Sequence, residues 1–349
     1  MLGGDSVSYY DGTKLLSLLD INGKKPELYM VTTNRTGGKT TWFSSFLVRK
    51  FIKKKEKFML LYRYNYELSD CAEKFFKDIH NLYFNDYNLR SQCRAKGMFH
   101  ELFLNDETCG YAVALNNADT LKTYAHLFND VERMFFDEFQ SEMNKYCTDE
   151  IRKFLSIHTS VARGRGKQVR YVPVYMCGNT VSLLNPYYTA MGISDRLMND
   201  TKFLKGDGFV MEQGFIESAS KAQLESGFNR AFSSSDYVAY AAQNVYLNDN
   251  YSFIDKPAGR GRYLATVKYL NKHYAIYDYD SLGILYVTDS YDSSFPYRLS
   301  LTTDDHNINY VMLSKNSLMI NNYRLLFNRG CFRFKNLDSK QMLLKLLSY

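Results

Sequence analysis

An apolar run at residues 28–32 breaks into Thr33-Asn34-Arg35-Thr36-Gly37-Gly38-Lys39-Thr40, and behind it Trp42, Phe43, Phe46, Leu47 and Phe51 recur at helical spacing. A buried strand, a glycine-bearing loop and an amphipathic helix in that order leave few folds open, because the loop must turn sharply between two packed elements. Backbone N–H groups at the start of such a helix converge on one point and, with the helix dipole, favour an anion there. In that geometry Lys39 reaches the β- and γ-phosphates of ATP and the Thr40 hydroxyl holds Mg2+, which makes Thr33 through Thr41 a candidate nucleotide-binding loop. Thr33 stands where the pattern has glycine, and a bare Gly-Lys-Thr recurs by chance, so the loop alone does not decide.

The other half of such a site is an apolar run at 133–136 that ends in Asp137-Glu138. Acids at the carboxyl edge of a parallel strand sit where ligands bind in open α/β sheets. Asp137 is the candidate for the metal and Glu138 for polarising the attacking water. The run 58–62 ends at Arg63, a candidate nucleotide contact, and the run 171–177 ends at Gly178-Asn179-Thr180, where Asn179 is placed to sense the γ-phosphate. Pro173 lacks a ladder donor, so that strand starts after it or bulges there. Apolar runs alternating with helical patterns predict an α/β domain over 1–198 with a mostly parallel sheet.

Arg163-Gly164-Arg165-Gly166-Lys167-Gln168-Val169-Arg170 packs four cations and two glycines into eight residues. From the residues alone three roles stay open: an arginine donated to a neighbouring subunit's nucleotide, a grip on DNA phosphates, or a solvated turn. Glycines among polar residues at 199–230 are expected to form a linker region. Alternating runs at 263–269, 273–279 and 285–289 predict three antiparallel strands in a domain over 231–349, with turns at Asn271-Lys272 and Ser281-Leu282-Gly283 and a closing helix at 339–347.

Composition narrows the class. A net charge of +7 suits a polyanionic partner. The six cysteines form no Cys-x-x-Cys pair and the six histidines no metal spacing, so reduced thiols are expected. No run approaches the ~20 apolar residues of a membrane span, and Met1-Leu2-Gly3-Gly4-Asp5 lacks the regions of a signal peptide, which leads to the expectation of a soluble intracellular protein without a membrane partner.

With those motifs in order, the chain resembles the DNA-encapsidation ATPases of small tailed bacteriophages. The resemblance rests on Arg35 within the loop, Leu61-Tyr62-Arg63-Tyr64, Phe136-Asp137-Glu138-Phe139 and Asn179-Thr180-Val181-Ser182-Leu183-Leu184-Asn185-Pro186-Tyr187. Leu301-Thr302-Thr303-Asp304-Asp305 and Gly330-Cys331-Phe332-Arg333-Phe334 carry it to the C-terminal part. It implies an ASCE-type P-loop NTPase domain followed by a smaller α+β, RNase H-like degenerate nuclease domain. It further implies a pentameric ring at the procapsid portal, in the host cytoplasm and absent from the mature virion. That ring would pump double-stranded DNA with ATP and Mg2+, and the resemblance leaves room for a scaffold RNA between motor and procapsid.

The same resemblance makes Arg163 the residue that acts in trans, with Lys122 also crossing the interface and Arg165 as the fallback. The run at 263–269 holds no carboxylate, and two-metal hydrolysis needs one on the first strand, so no nuclease activity is expected. Arg260, Arg262, Lys268 and Lys272 are the candidate contacts to DNA backbone or portal. A terminase-type nuclease, a helicase and an ATP-dependent assembly switch are the competing readings, and a water-polarising Glu138 speaks against a pure switch.

Overall fold

The computed structural model describes residues 8–197, 201–247, 249, 251–313 and 317–348, the side chains of 69–73 and 195 excepted. Met1 to Asp5, Asn199 and the side chain of Cys71 lie outside the described residues. The chain divides into two compact units, Met1–Asn248 and Asp249–Tyr349.

In the first unit, α1 (Thr13–Ser17) precedes β1 (Leu28–Thr33), α2 (Lys39–Lys54), β2 (Lys57–Tyr62) and α3 (Glu67–Tyr83). Then come β3 (Leu89–Arg94), β4 (Phe99–Leu104), β5 (Glu107–Ala114), α4 (Ala118–Leu121), β6 (Val131–Asp137), α5 (Glu150–Val161), β7 (Val174–Asn179) and α6 (Pro186–Met191). The unit closes with β8 (Phe203–Gly206), β9 (Phe209–Gln213), α7 (Glu217–Glu225), α8 (Gly227–Ala231) and α9 (Asp236–Gln243). The nine strands form one sheet in the order β3-β4-β5-β2-β6-β7-β1-β9-β8. Its interior, from β5 to β9, is parallel, and β3-β4 and β8 add antiparallel edges.

Helix α2 packs Phe43, Leu47, Val48 and Phe51 on the sheet beside Tyr29, Val31, Phe135 and Tyr175, with Trp42 and Phe46 half-buried at the margin. Each large side chain so buried contributes about 1.5–3 kcal/mol. Strand β7 begins just after Pro173, whose missing donor therefore costs no ladder bond. Strands β3 to β5 were not apparent as apolar runs. Leu89-Arg90-Ser91-Gln92-Cys93-Arg94 is an edge strand with a mostly polar sequence.

The expected linker at 199–230 is corrected by the structure. Residues Phe203 to Gln213 form a hairpin whose second strand pairs with β1, and α7 and α8 follow. Of the glycines that suggested a linker, Gly208 forms the Asp207-Gly208 turn, taking φ +75° with its N–H donating to Asp20, while Gly206 closes the first strand of the hairpin and Gly227 opens α8. Asp-Gly between apolar strands is a hairpin signal, and here the glycine accepts the left-handed backbone that the turn places at its second central residue. The expected second domain at 231–349 is likewise shortened, since α9 belongs to the first unit.

The second unit has β10 (Arg262–Tyr269), β11 (Lys272–Tyr279), β12 (Ile284–Thr288), β13 (Arg298–Ser300), β14 (Val311–Met312), α10 (Leu318–Asn328), β15 (Phe332–Phe334) and α11 (Leu337–Leu347). The three expected antiparallel strands are β10 to β12, and parallel strands extend the sheet on both sides in the order β14-β13-β10-β11-β12-β15. Helices α10 and α11 pack Ile320, Tyr323, Met342, Leu343 and Leu346 against Val267, Ile276, Val287, Phe332 and Phe334, completing an α+β unit. Strand β10 carries no acid. Of the later acids, Asp278 pairs with Arg262, Asp289 with Lys335, and Asp292 caps Ser294.

The β10–β11 turn lies one residue earlier than the sequence suggested. Tyr269 pairs with Lys272, and Leu270 and Asn271 take φ +52° and +60°. Neither is glycine, so this backbone is strained and needs support. Buried Asp305 supplies it, accepting from the N–H groups of Leu270 at 2.8 Å and Asn271 at 2.9 Å and from the Thr302 hydroxyl. The Thr302-Asp305 motif is thus a clamp on a strained hairpin. Burial opposes ionisation of Asp305, but these donors and Lys268 outweigh it and hold the carboxyl below its ordinary 3.8. A depressed folded pKa adds stability above the ordinary value that is lost as pH falls through the folded one. Asp305→Ala should therefore cost about 1–3 kcal/mol at pH 7. Denaturant unfolding of the full chain followed at pH 7 and again below pH 4 checks this, the gap between wild type and variant narrowing at acid pH.

Candidate functional site

The tips of three neighbouring strands converge at the carboxyl edge of the large sheet. Thr33 at the end of β1 pairs in register with Asn179 at the end of β7, and Asp137 at the end of β6 pairs with Cys177. The loop after β1 enters α2 through Gly38, whose φ of +86° would strain any side chain. Buried Lys39 then turns inward, its ammonium donating to the Asn179 side-chain oxygen at 2.6 Å and to the Thr33 hydroxyl at 3.3 Å. The Thr40 hydroxyl donates to Asp137 at 3.2 Å.

Burial, with Glu138 beside it, pushes the Asp137 carboxyl up to about 6. Burial also pushes the Lys39 ammonium below its usual value, against the pull of Asp137 and Glu138. Burial disfavours the charged form of each group, and each regains free energy when an opposite charge enters the site. Glu138 is exposed and stands at φ +52°, a conformation rare for a residue with a side chain and concentrated at functional sites.

A cavity of about 530 Å3 is lined by Arg35 to Trp42 together with Tyr9, Tyr10, Leu82, Tyr83, Asp137, Glu138, Gly178 and Asn179. The aromatic walls escaped the sequence reading, which has no pattern that brings Tyr9 and Tyr83 to one place. The Tyr10 N–H donates to the Gly37 carbonyl and its hydroxyl to Glu212, so the N-terminal segment straps the loop. A second cavity, of about 600 Å3, shares Thr36, Thr40, Thr41, Asp137 and Glu138 and adds Arg63, Lys74 and apolar residues of β2, α3 and β6.

Three loop residues are directed elsewhere. Asn34 is buried and exchanges two hydrogen bonds with the backbone of Ile216, at 2.9 and 3.1 Å. Arg35, though it borders the cavity, forms an ion pair with Glu142 and donates to the Tyr237 hydroxyl at 2.8 Å. The Thr36 hydroxyl accepts from Gln223 at 3.3 Å. These side chains tie the loop to the segment from Ile216 through α9, and Gly37, Gly38, Lys39 and Thr40 are left to face the cavity.

Arg63 is not a free nucleotide contact. Its guanidinium is buried, bonded to Glu150 at 3.0 and 3.1 Å and to the Phe139 carbonyl at 2.8 Å. Lys122 pairs with Asp119 and lines neither cavity.

The basic segment is a tight hairpin. Gly164 and Lys167 exchange backbone hydrogen bonds around Arg165 and Gly166, at φ +51° and +74°. Arg170 is buried and donates to the carbonyls of Val131 and Val161, while Arg165 pairs with Glu132. Exposed Arg163 has no hydrogen-bond or ion-pair partner among the described residues. The hairpin adjoins the start of β6, and Asp137 is the seventh residue of that strand, so at roughly 3.3 Å per residue the two lie about 20 Å apart. Arg163 therefore cannot serve its own subunit's cavity.

A parallel sheet with a glycine loop after one strand, an acidic pair on the strand next but one, and a polar amide on the strand between defines a P-loop NTPase fold. The chain belongs to the podovirus DNA encapsidation protein (Gp16) family, whose model matches residues 4–348. It is 24% identical over 336 residues to the DNA packaging protein of Bacillus phage PZA, covering 95% of each chain, and equally similar to that of Bacillus phage phi29. Its fold matches the bacteriophage Phi-29 viral genome packaging motor assembly with a TM-score of 0.69 at 23% identity, over 97% of this chain and 99% of that one. It also matches the Phi-28 gp11 DNA packaging motor with a TM-score of 0.63 at 16% identity, over 98% of each.

The hairpin separates two arginines by role. Arg170→Ala strands two buried carbonyls and should cost about 1–3 kcal/mol, whereas Arg163→Ala should leave thermal unfolding unchanged. Equal melting temperatures for the two variants would contradict this division.

Proposed function

We propose that this chain is the ATP-hydrolysing subunit of a ring motor that drives double-stranded viral DNA into a preformed procapsid. The observation that carries the reading is the meeting of Lys39, Thr40, Asp137, Glu138 and Asn179 in one cavity, with an unpaired Arg163 at the opposite edge of the same sheet. Family membership supports the DNA-packaging role, and the ring, a pentamer by resemblance, docks at the portal vertex in the host cell. No helix among the described residues is long and apolar enough to cross a membrane.

The residues fit a nucleotide. The N–H groups of Gly37 to Thr40 and the desolvated Lys39 hold the phosphates, and Thr40 and Asp137 hold Mg2+, which supplies charge neutralisation at the transferred phosphoryl group when bound. Glu138 orients and polarises the attacking water. Asn179, already bonded to Lys39, registers whether that ammonium has turned to a phosphate. Arg163 of one subunit stabilises the transition-state charge in the next, an effect worth about 10³–10⁵ in rate. In the second unit Arg262 and Lys272 are paired with Asp278 and Asp338, so backbone contact to DNA there falls first to Arg260. That unit acts without nuclease chemistry.

Steady-state ATP hydrolysis should rise in specific activity with protein concentration and again with long double-stranded DNA. Lys39→Ala should lose nucleotide binding, and Glu138→Gln should bind ATP without turning it over. Mixing inactive Arg163→Ala with Glu138→Gln subunits should recover part of the activity, because an intact finger can then meet an intact site. Mixed rings that form but recover nothing would refute a trans-acting Arg163.

A further inference from the structure

We infer that the buried Arg63–Glu150 ion pair is a positioning element that fixes Glu138 in its working orientation; this rests on Glu138 being the residue that polarises water. The argument begins with the backbone. Glu138 sits at φ +52°, which a side-chain-bearing residue keeps only when its surroundings enforce it. Both backbone groups of the next residue are held: the Phe139 N–H donates to the Cys177 carbonyl on β7 at 3.2 Å, and the Phe139 carbonyl accepts from the Arg63 Nη2 at 2.8 Å. The Glu138 carbonyl lies 3.5 Å from the same guanidinium. Arg63 thus ties the turn after β6 to the end of β2, and β7 ties it from the other side.

Arg63 is held in turn. Its Nε meets both Glu150 oxygens, at 3.0 and 3.1 Å, and Glu150 also accepts from the Tyr187 hydroxyl at 2.8 Å and the Cys147 N–H at 2.9 Å. Glu150 is only 3% exposed, and a carboxylate at that depth is retained only with such a full set of donors. The phenyl ring of Phe139 packs edge-on against Tyr187, so the residue clamped by Arg63 also touches a residue that orients Glu150. Among the described residues no hydrogen bond or ion pair joins this cluster to the loop that binds phosphate. Its output is the placement of one peptide unit, and that unit carries the Glu138 carboxylate into the cavity. Neither Arg63 nor Glu150 is a catalytic residue on this account.

The test separates placement from mere support of the fold. The double variant Arg63→Met/Glu150→Gln removes both charges together and leaves no uncompensated buried charge, a replacement proteins commonly tolerate. It should melt near wild type and keep its KM for ATP within about threefold, while kcat falls about 10–100-fold, the usual penalty for losing a group that orients an active residue. A double variant with wild-type kcat, or one that loses ATP binding in proportion to turnover, overturns the inference. If the double variant does not fold, Arg63→Lys, which keeps a cation opposite Glu150 but lacks the guanidinium fork that reaches the Phe139 carbonyl, decides by the same split. Glu138→Gln measured alongside keeps the two claims apart. If it hydrolyses ATP normally, the reading of Glu138 fails and this inference with it. If it is inactive while the double variant is fully active, only the positioning role fails.

Discussion

The register of three parallel strands governs the site. Because β7 lies between β1 and β6 and shares a ladder with each, the ends of all three are fixed within a residue or two of one another. A slip of one residue in any of them would turn its side chains to the opposite face of the sheet and separate Lys39, Asn179 and Asp137. The apolar burial along these strands, from Tyr29 to Val31, Met134 to Phe136 and Val174 to Cys177, prevents the slip. The site is therefore held by the core, and its opposed charges are assembled at the one edge where a parallel sheet leaves room for a ligand. The same burial that fixes the strands shifts Lys39 and Asp137 away from their ordinary titration, each towards its neutral form.

The glycine loop divides into two parts with different partners. Gly37 to Thr40 turn to the cavity, while Asn34, Arg35 and Thr36 reach outwards to Ile216, Glu142, Tyr237 and Gln223. A loop anchored only by its flanking strand and helix would have to retain its shape through backbone preference alone, and Thr36 at φ +60° has none in its favour. The outward contacts supply the missing restraint. Thr33, which stands where the usual pattern has its first glycine, donates its hydroxyl to the Asn34 carbonyl and accepts from Lys39.

How much of this was legible depends on whether the signal was local. The strands at 28–32, 58–62, 133–136 and 171–177 show as apolar runs and the helix behind the loop by its period, and the residues at their ends place Lys39, Thr40, Asp137, Glu138 and Asn179 at one sheet edge. The Asp207-Gly208 hairpin was local too, but the glycines around it read as a linker, whereas Gly208 is a turn residue between two strands. Arg63 was misjudged for a different reason. Its neighbour Glu150 lies 87 positions away in sequence, and no period or spacing connects them. Asp305 and the Leu270-Asn271 turn, 34 and 35 residues apart, are another such pair. Long-range polar pairs inside a core leave no trace in a single chain, because each partner alone looks like an ordinary surface residue.

Chain direction in a parallel sheet has a consequence for assembly. Every loop from a helix into a parallel strand falls on the amino edge, and every loop from a strand into a helix falls on the carboxyl edge where the phosphate loop sits. The Arg163 hairpin joins α5 to β7 and is therefore on the amino edge by topology, whatever its sequence. Of its cations, Arg165 and Arg170 hold the hairpin to β6, and Arg163 is left exposed. The proposed trans-acting role of Arg163 therefore requires a head-to-tail contact between copies, where two different surfaces of the same chain face each other. Such a contact cannot close on itself as a two-fold dimer does. It propagates, and it ends either in a ring or in an open filament according to the rotation between successive copies.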